Sequence, residues 1–93
     1  MAADRASQYQ RINSATTTQV KTGRGRLRRI VVNTPVASET IGLIDGTTGT
    51  TVNVGQLTTT ADLKPFYIDF NIIFMNGLRI VTSGTSDITV VFE

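Results

Sequence analysis

The stretch from Pro65 to Glu93, PFYIDFNIIFMNGLRIVTSGTSDITVVFE, decides the fold. From Phe66 to Phe74 a large apolar residue occupies every second position, and this period of two is typical of a strand with one buried face. Asn76-Gly77 follows and favours a type I′ turn, which predicts a tight hairpin into a second strand. After a short polar loop, a third alternating strand starts at Ile88. The pattern predicts an antiparallel meander of three strands.

Upstream of this meander the sequence predicts further short strands at 15–22, 27–34, 40–44 and 51–54. The sixteen threonines and the many valines and isoleucines favour extended structure, because β-branched side chains suit a pleated surface. Asp45-Gly46 is a second hairpin signal, between the strand at 40–44 and its return. The strand at 27–34 has apolar and charged residues on both faces, which predicts either cover on both sides or a bulge that resets its register.

The fold class predicted from this pattern is all-β. We expect a small antiparallel β-sandwich or jelly-roll-like barrel of about seven short strands, since turn residues recur every ~8–12 positions. Residues 1–14 show no hydrophobic period and are predicted to form an extended N-terminal arm, either frayed or ordered against another subunit. Residues 15–93 are predicted to form one β-sandwich domain.

The composition excludes several classes of chemistry. The 93 residues contain no cysteine, histidine or tryptophan, so disulfides and metal sites built on thiolate or imidazole are excluded. Without histidine, and with no spacing that pairs two carboxylates, we expect no catalytic residues and no cofactor. A calcium site built from aspartate and carbonyl oxygens is left open, although the EF-hand spacing is absent.

The sequence also bears on the protein's location. No window of about 18 apolar residues occurs, which predicts that a membrane is not a partner. Residues 1–20 lack the apolar core of a signal peptide. We therefore expect a protein made and used in the cytoplasm, unless it is carried outside as part of a particle.

Charge is divided unevenly along the chain. Residues 1–29 hold seven basic residues and one acidic residue, a net charge of +6, whereas residues 30–93 hold two basic and six acidic residues, a net charge of −4. A basic leading segment on an acidic body indicates a partner of opposite sign, or a neighbouring copy of the same chain.

The arginines at 24–29 are the sharpest candidate for a binding site. In a regular strand Arg24, Arg26 and Arg28 share one face and Arg29 points to the other, so the first three could bind carboxylates of a protein partner. A solvated face and a nucleic-acid site are the alternatives; the latter is disfavoured because no aromatic residues are interleaved for base stacking. The predicted partner-binding residues are Tyr9, Arg11, Ile12, Lys21, Arg24, Arg26, Arg28 and Arg29.

A threonine-rich lead-in is followed by four segments, GRLRRIVVN at 25–33, IDG at 44–46, FMNGLRIVTSGT at 74–85 and DITVVFE at 87–93. This pattern resembles that of a group of small virion proteins of tailed bacteriophages. The resemblance spans about residues 15–93, and its motifs are structural, so it carries over no catalytic residue.

The resemblance implies a head decoration or cement protein. Such a protein would bind the outside of the capsid, bridge adjacent major capsid subunits as a dimer or trimer, and be assembled onto the virion in the host cytoplasm. One alternative is a structural component of the tail or of the head-tail junction. Another, from a different class, is a carbohydrate- or nucleic-acid-binding β module.

Overall fold

A computed structural model describes residues 7–60 and 64–93, and all regular structure in these residues is β. Its strands are β1 Gln8–Ile12, β2 Thr17–Thr22, β3 Gly25–Thr34, β4 Thr40–Asp45, β5 Gly55–Thr58, β6 Phe66–Phe74, β7 Gly77–Thr82 and β8 Asp87–Phe92. The described residues thus contain eight strands rather than about seven.

The strands form two four-stranded antiparallel sheets that pack against each other. The first sheet has the order β1-β8-β3-β6, and the second has the order β2-β7-β4-β5. This is the strand order of an eight-stranded jelly roll. The predicted fold class, an all-β antiparallel sandwich or jelly-roll-like barrel, is confirmed: the structure is all-β, with two packed four-stranded sheets.

The predicted meander of β6, β7 and β8 is wrong. These strands alternate between the sheets: β6 pairs with β3, β7 pairs with β2 and β4, and β8 pairs with β1 and β3. Asn76 does not have the positive φ that a type I′ turn requires, and the Met75-Asn76 link carries the chain across the core instead. A period of two identifies the buried face of a strand but not its neighbours, which explains the error.

The hairpin predicted at Asp45-Gly46 is present, but its return strand starts later than predicted. β4 pairs with β5, at 55–58, rather than with 51–54. In the intervening segment the side chain of Asn53 bonds the backbone of Asp45 as a neighbouring strand would. Its Oδ1 accepts a hydrogen bond from Asp45 N at 2.8 Å, and its Nδ2 donates to Asp45 O at 3.2 Å. The amide side chain thus holds the loop against the end of β4.

Part of the predicted N-terminal arm forms a strand. β1 lies at the edge of the first sheet and pairs with β8 from Gln8 opposite Phe92 to Ile12 opposite Ile88. Ile12 is buried in the core, whereas the other four residues of β1 are exposed. Residues 1–6 of the predicted arm lie outside the described residues.

The core lies between the two sheets and consists of aliphatic residues and phenylalanines. Its buried members are Ile12, Leu27, Ile30, Val32, Ile41, Leu43, Phe74, Leu78, Ile80, Ile88, Val90 and Phe92. The inward residues of β6 before Phe74 are only half-buried, and β3 is the only neighbour of β6 among the described strands. β6 therefore contributes less burial than its regular alternation predicts.

Asp45 joins the two turn signals that the sequence places far apart. Its carboxylate accepts hydrogen bonds from the backbone N–H groups of Met75 at 2.9 Å and Asn76 at 2.8 Å, and Gly46 N donates to Gly77 O at 3.0 Å. The N–H of Met75 and then that of Asn76 hold the pKa of Asp45 below its ordinary value. This carboxylate therefore fixes the crossing from β6 to β7.

We expect Asp45→Asn to lower the free energy of unfolding by about 1–2 kcal/mol near neutral pH, because a charged acceptor is lost at a partly solvated site. A lowered folded pKa stabilises the fold above the unfolded pKa of about 3.9, and this contribution disappears as pH falls through the folded value. The gap between the wild type and the variant should therefore close below about pH 4. Urea denaturation of both proteins from neutral to acid pH measures it, and a gap that does not change with pH contradicts this role of Asp45.

Candidate functional site: the arginine face

A bulge in β3 places two adjacent arginines on the same side of the first sheet. The register of β3 against both β6 and β8 shifts between Leu27 and Arg29. Leu27 and Ile30 are fully buried, and Arg28 and Arg29 between them are both exposed. The bulge alternative is confirmed, and the prediction that Arg29 points away from Arg28 is wrong because the extra residue resets the alternation.

The outer surface of the first sheet is rich in arginine, and we call it the arginine face. It is formed by Tyr9, Arg11, Arg26, Arg28, Arg29, Tyr67, Asp69, Asn71, Ile73, Asp87, Thr89, Val91 and Glu93. Five of the eight predicted partner-binding residues, namely Tyr9, Arg11, Arg26, Arg28 and Arg29, are thus brought together here. Of the others, Arg24 lies in the turn beyond the end of this face, Lys21 lies on β2 of the second sheet, and Ile12 is in the core.

Three of the arginines form ion pairs within the chain. Arg11 Nε and Nη2 each donate to a carboxylate oxygen of Asp87 at 2.8 Å, a bidentate arrangement. Arg28 pairs with Glu93, and Arg29 pairs with Asp69 while its guanidinium carbon lies 4.4 Å from the centre of the Tyr67 ring. All three pairs are at least partly exposed to solvent, where they are screened and contribute little to stability.

The Arg11–Asp87 and Arg29–Asp69 pairs also shift the pKa values of their members. The hydrogen bond from Arg11 holds the pKa of Asp87 below its ordinary value, and the hydrogen bond from Arg29 does the same for Asp69. The same bonds raise the pKa of Arg11 and Arg29. Both carboxylates therefore stay ionised, and the pairs stay formed, throughout the physiological range.

The five carboxylates among residues 7–60 and 64–93 are all engaged or buried. Asp69, Asp87 and Glu93 pair with arginines, and Asp45 accepts backbone N–H groups. Glu39 is 2% exposed, and its Oε1 accepts a hydrogen bond from Ser86 N at 2.8 Å. Each exposed carboxylate in these two ranges thus already has a partner within the chain.

The cations are not all balanced in this way. Within the described part of the chain, Arg24, Lys21 and Lys64 have no carboxylate partner, and Arg26 donates to the neutral Asn71 Oδ1, at 2.9 Å. Arg79 donates to backbone carbonyls and to Gln19 Oε1. Two of these unbalanced cations, Arg26 on the arginine face and Arg24 in the turn before it, lie close together in the chain.

Arg24 and Arg26 line an open depression at one end of the first sheet. Gly25, Ile73 and Glu93 complete its lining, and its volume is about 580 Å³. Ile73 lies opposite Arg26 in the sheet and is 48% exposed. We call this feature the Arg24–Arg26 depression.

An exposed methionine lies close to the same end. Met75 is 58% exposed, and the turn that contains it contacts the turn before Arg24, since Gly23 N donates to Asn76 O at 3.0 Å. Sequence reasoning did not identify Ile73 or Met75 as functional. Ile73 could have been found from the sequence, because it is the one aliphatic residue among the outward-facing residues of β6, which are otherwise polar or aromatic.

Comparisons of the chain with protein-family models, with curated proteins and with solved structures found no match. Within the two described ranges, no group of three or more acidic, histidine or cysteine side chains is positioned to hold a metal ion. The same ranges contain no helix long and apolar enough to cross a membrane.

Proposed function

We propose that the protein is a structural component of a tailed-bacteriophage virion. It is a head decoration or cement protein that binds the outside of the capsid and bridges adjacent major capsid subunits. It acts without catalysis and without a cofactor, and it joins the particle in the host cytoplasm.

The observation that carries this proposal is the charge imbalance at the arginine face. Every exposed carboxylate in the described residues is satisfied within the chain, whereas Arg24 and Arg26 are not. A surface of this kind favours an anionic partner over self-association through the same residues. The jelly-roll strand order is compatible, since viral capsid proteins use it, but a fold alone does not specify a function.

Repetition over a shell makes weak contacts sufficient. A dimer or trimer of the chain engages several capsid subunits at once, so that modest contacts sum to stable attachment through a high effective concentration. This view requires no deep cleft and no reactive group on the protein.

The test is co-sedimentation with undecorated heads of the phage that encodes the protein. We expect the purified chain to move with the heads in a density gradient at low and moderate salt, with reduced binding as salt rises because exposed charges are screened. Free protein at the top of the gradient under both conditions would rule the proposal out. Immunogold labelling then locates it: gold over the whole head supports decoration, whereas gold at a single vertex indicates the tail or the head-tail junction.

A further inference from the structure

We infer that the Arg24–Arg26 depression binds an acidic segment of a partner protein. Carboxylates of that segment pair with the two guanidinium groups, and a neighbouring apolar side chain contacts Ile73 and Met75. This inference rests on the proposed function, since it names the chemistry by which the capsid is recognised.

Arg26 is held in a fixed position with donors to spare, and Arg24 lies two residues before it in an exposed turn. Arg24 follows Gly23, whose φ of 81° turns the chain from β2 into β3, and Arg26 is held by its hydrogen bond to Asn71. Only one of the five N–H donors of Arg26 is used in that bond, and the planar guanidinium suits bidentate binding of a carboxylate. Backbone hydrogen bonds in both directions between Arg26 and Glu93, at 3.0 and 2.8 Å, fix the position of this arginine.

The described carboxylates of a second copy are poor occupants for this depression. The side-chain carboxylates of residues 7–60 and 64–93 are already paired, bound to backbone N–H groups or buried. Asp69 or Asp87 of a copy would exchange one arginine partner for another, so no ion pair would be gained. A partner that brings uncommitted carboxylates forms new ion pairs without losing any.

The lining of the depression favours a polypeptide over a nucleic acid. None of its lining residues is aromatic, so it offers no surface on which bases could stack. Tyr67 has the Arg29 guanidinium over its ring, and Tyr9 lies on β1, at the opposite edge of the sheet from β6. The exposed Ile73 and Met75 instead match an apolar side chain next to acidic ones.

The experiment titrates the isotope-labelled full chain with a short poly-glutamate peptide at about 0.1 M salt, where the Debye length is about 10 Å, and follows its amide NMR signals. We expect the amides of Arg24, Arg26 and Ile73 to shift, and a poly-glutamine peptide of equal length to leave them unchanged. The double variant Arg24→Gln/Arg26→Gln should bind poly-glutamate about tenfold more weakly, since two exposed charge pairs are lost. If the double variant is unfolded by circular dichroism, Arg24→Gln alone, at an exposed turn position, replaces it with an expected loss of about threefold.

The matched control is Lys64→Gln, which is compared with Arg24→Gln. It removes the same net charge from a side chain that is also exposed, but Lys64 precedes the start of β6, away from Ile73 at its end. We expect Lys64→Gln to bind poly-glutamate with nearly the wild-type affinity, because distant exposed charges are screened. Equal weakening by Arg24→Gln and Lys64→Gln would overturn the inference, since net charge alone would then explain the binding.

An oligothymidine titration separates the two kinds of anion. Binding of oligothymidine at the same amides, more tightly than poly-glutamate, would identify a nucleic-acid site and overturn the inference. Co-sedimentation with heads is then compared between the wild type and the Arg24→Gln/Arg26→Gln variant. If both co-sediment equally well, the inference is overturned and the proposed function stays intact. Binding of poly-glutamate to a wild-type protein that does not co-sediment with heads would support the inference and rule out the proposed function.

Discussion

Phe74→Ala is expected to lower the free energy of unfolding by about 3–4 kcal/mol. Phe74 is the last residue of β6, is 3% exposed and belongs to the core cluster. Its truncation removes buried aromatic surface and leaves a cavity at the point where the chain crosses from the first sheet to the second. Because small domains are stable by only ~5–15 kcal/mol, this loss is large enough to measure by urea denaturation at 25 °C.

The control is Phe70→Ala on the same face of the same strand. Phe70 is only half-buried, because it lies further along the edge strand. Its truncation should cost about half as much, since less apolar area is removed from contact with the core. Equal losses for the two variants would mean that the crossing point is no better packed than the middle of β6.

Gly25→Ala is the second large effect, with an expected loss of about 2–3 kcal/mol. A Cβ at this position would lie 2.6 Å from Phe74 Cζ and 2.9 Å from its Cε2, and it would also overlap the backbone oxygen of Glu93. That oxygen accepts a hydrogen bond from Arg26 N at 3.0 Å, so it is not free to move away. Urea denaturation again gives the measurement.

Gly55→Ala is the matched control for this substitution. No atom lies within 4 Å of a Cβ built on Gly55, and its φ is not positive, so the change should stay within about 0.5 kcal/mol of the wild type. The double variant Gly25→Ala/Phe74→Ala should lose less than the sum of the single variants, because the alanine methyl enters the space left by the ring. Strict additivity would show that the Glu93 backbone, and not the Phe74 ring, is the obstacle at Gly25.

Many of the strands can be predicted from the local pattern of apolar residues, but the pairing of strands within the sheets cannot. Phe66–Phe74 alternates so regularly that its strand and its inward face could be predicted from residue type alone. The strand that pairs with it, β3, could not be predicted in this way. β3 lies far away in the sequence, and any strand with one buried face shows the same period of two. β1 was missed because only Ile12 of its five residues is buried, so its strand structure depends on pairing with β8.

The arginines illustrate the corresponding limit for the site. Composition alone shows a basic leading segment and an acidic body, but not that the two neutralise each other through contacts such as Arg11–Asp87 and Arg29–Asp69. These partners are 76 and 40 residues apart, and only the sheet order brings them together. The surplus at Arg24 and Arg26 is therefore a property of the folded chain that charge counting could not locate.

The insertion of β8 between β1 and β3 has a consequence for biosynthesis. The first sheet cannot close on the ribosome before the segment that contains β8 has emerged, since β8 is the only neighbour of β1 among the described strands. Asp87 and Glu93, which neutralise Arg11 and Arg28, emerge with that segment. The nascent polypeptide thus carries these two arginines without their partner carboxylates until that segment emerges, and their charges are masked only as the sheet forms.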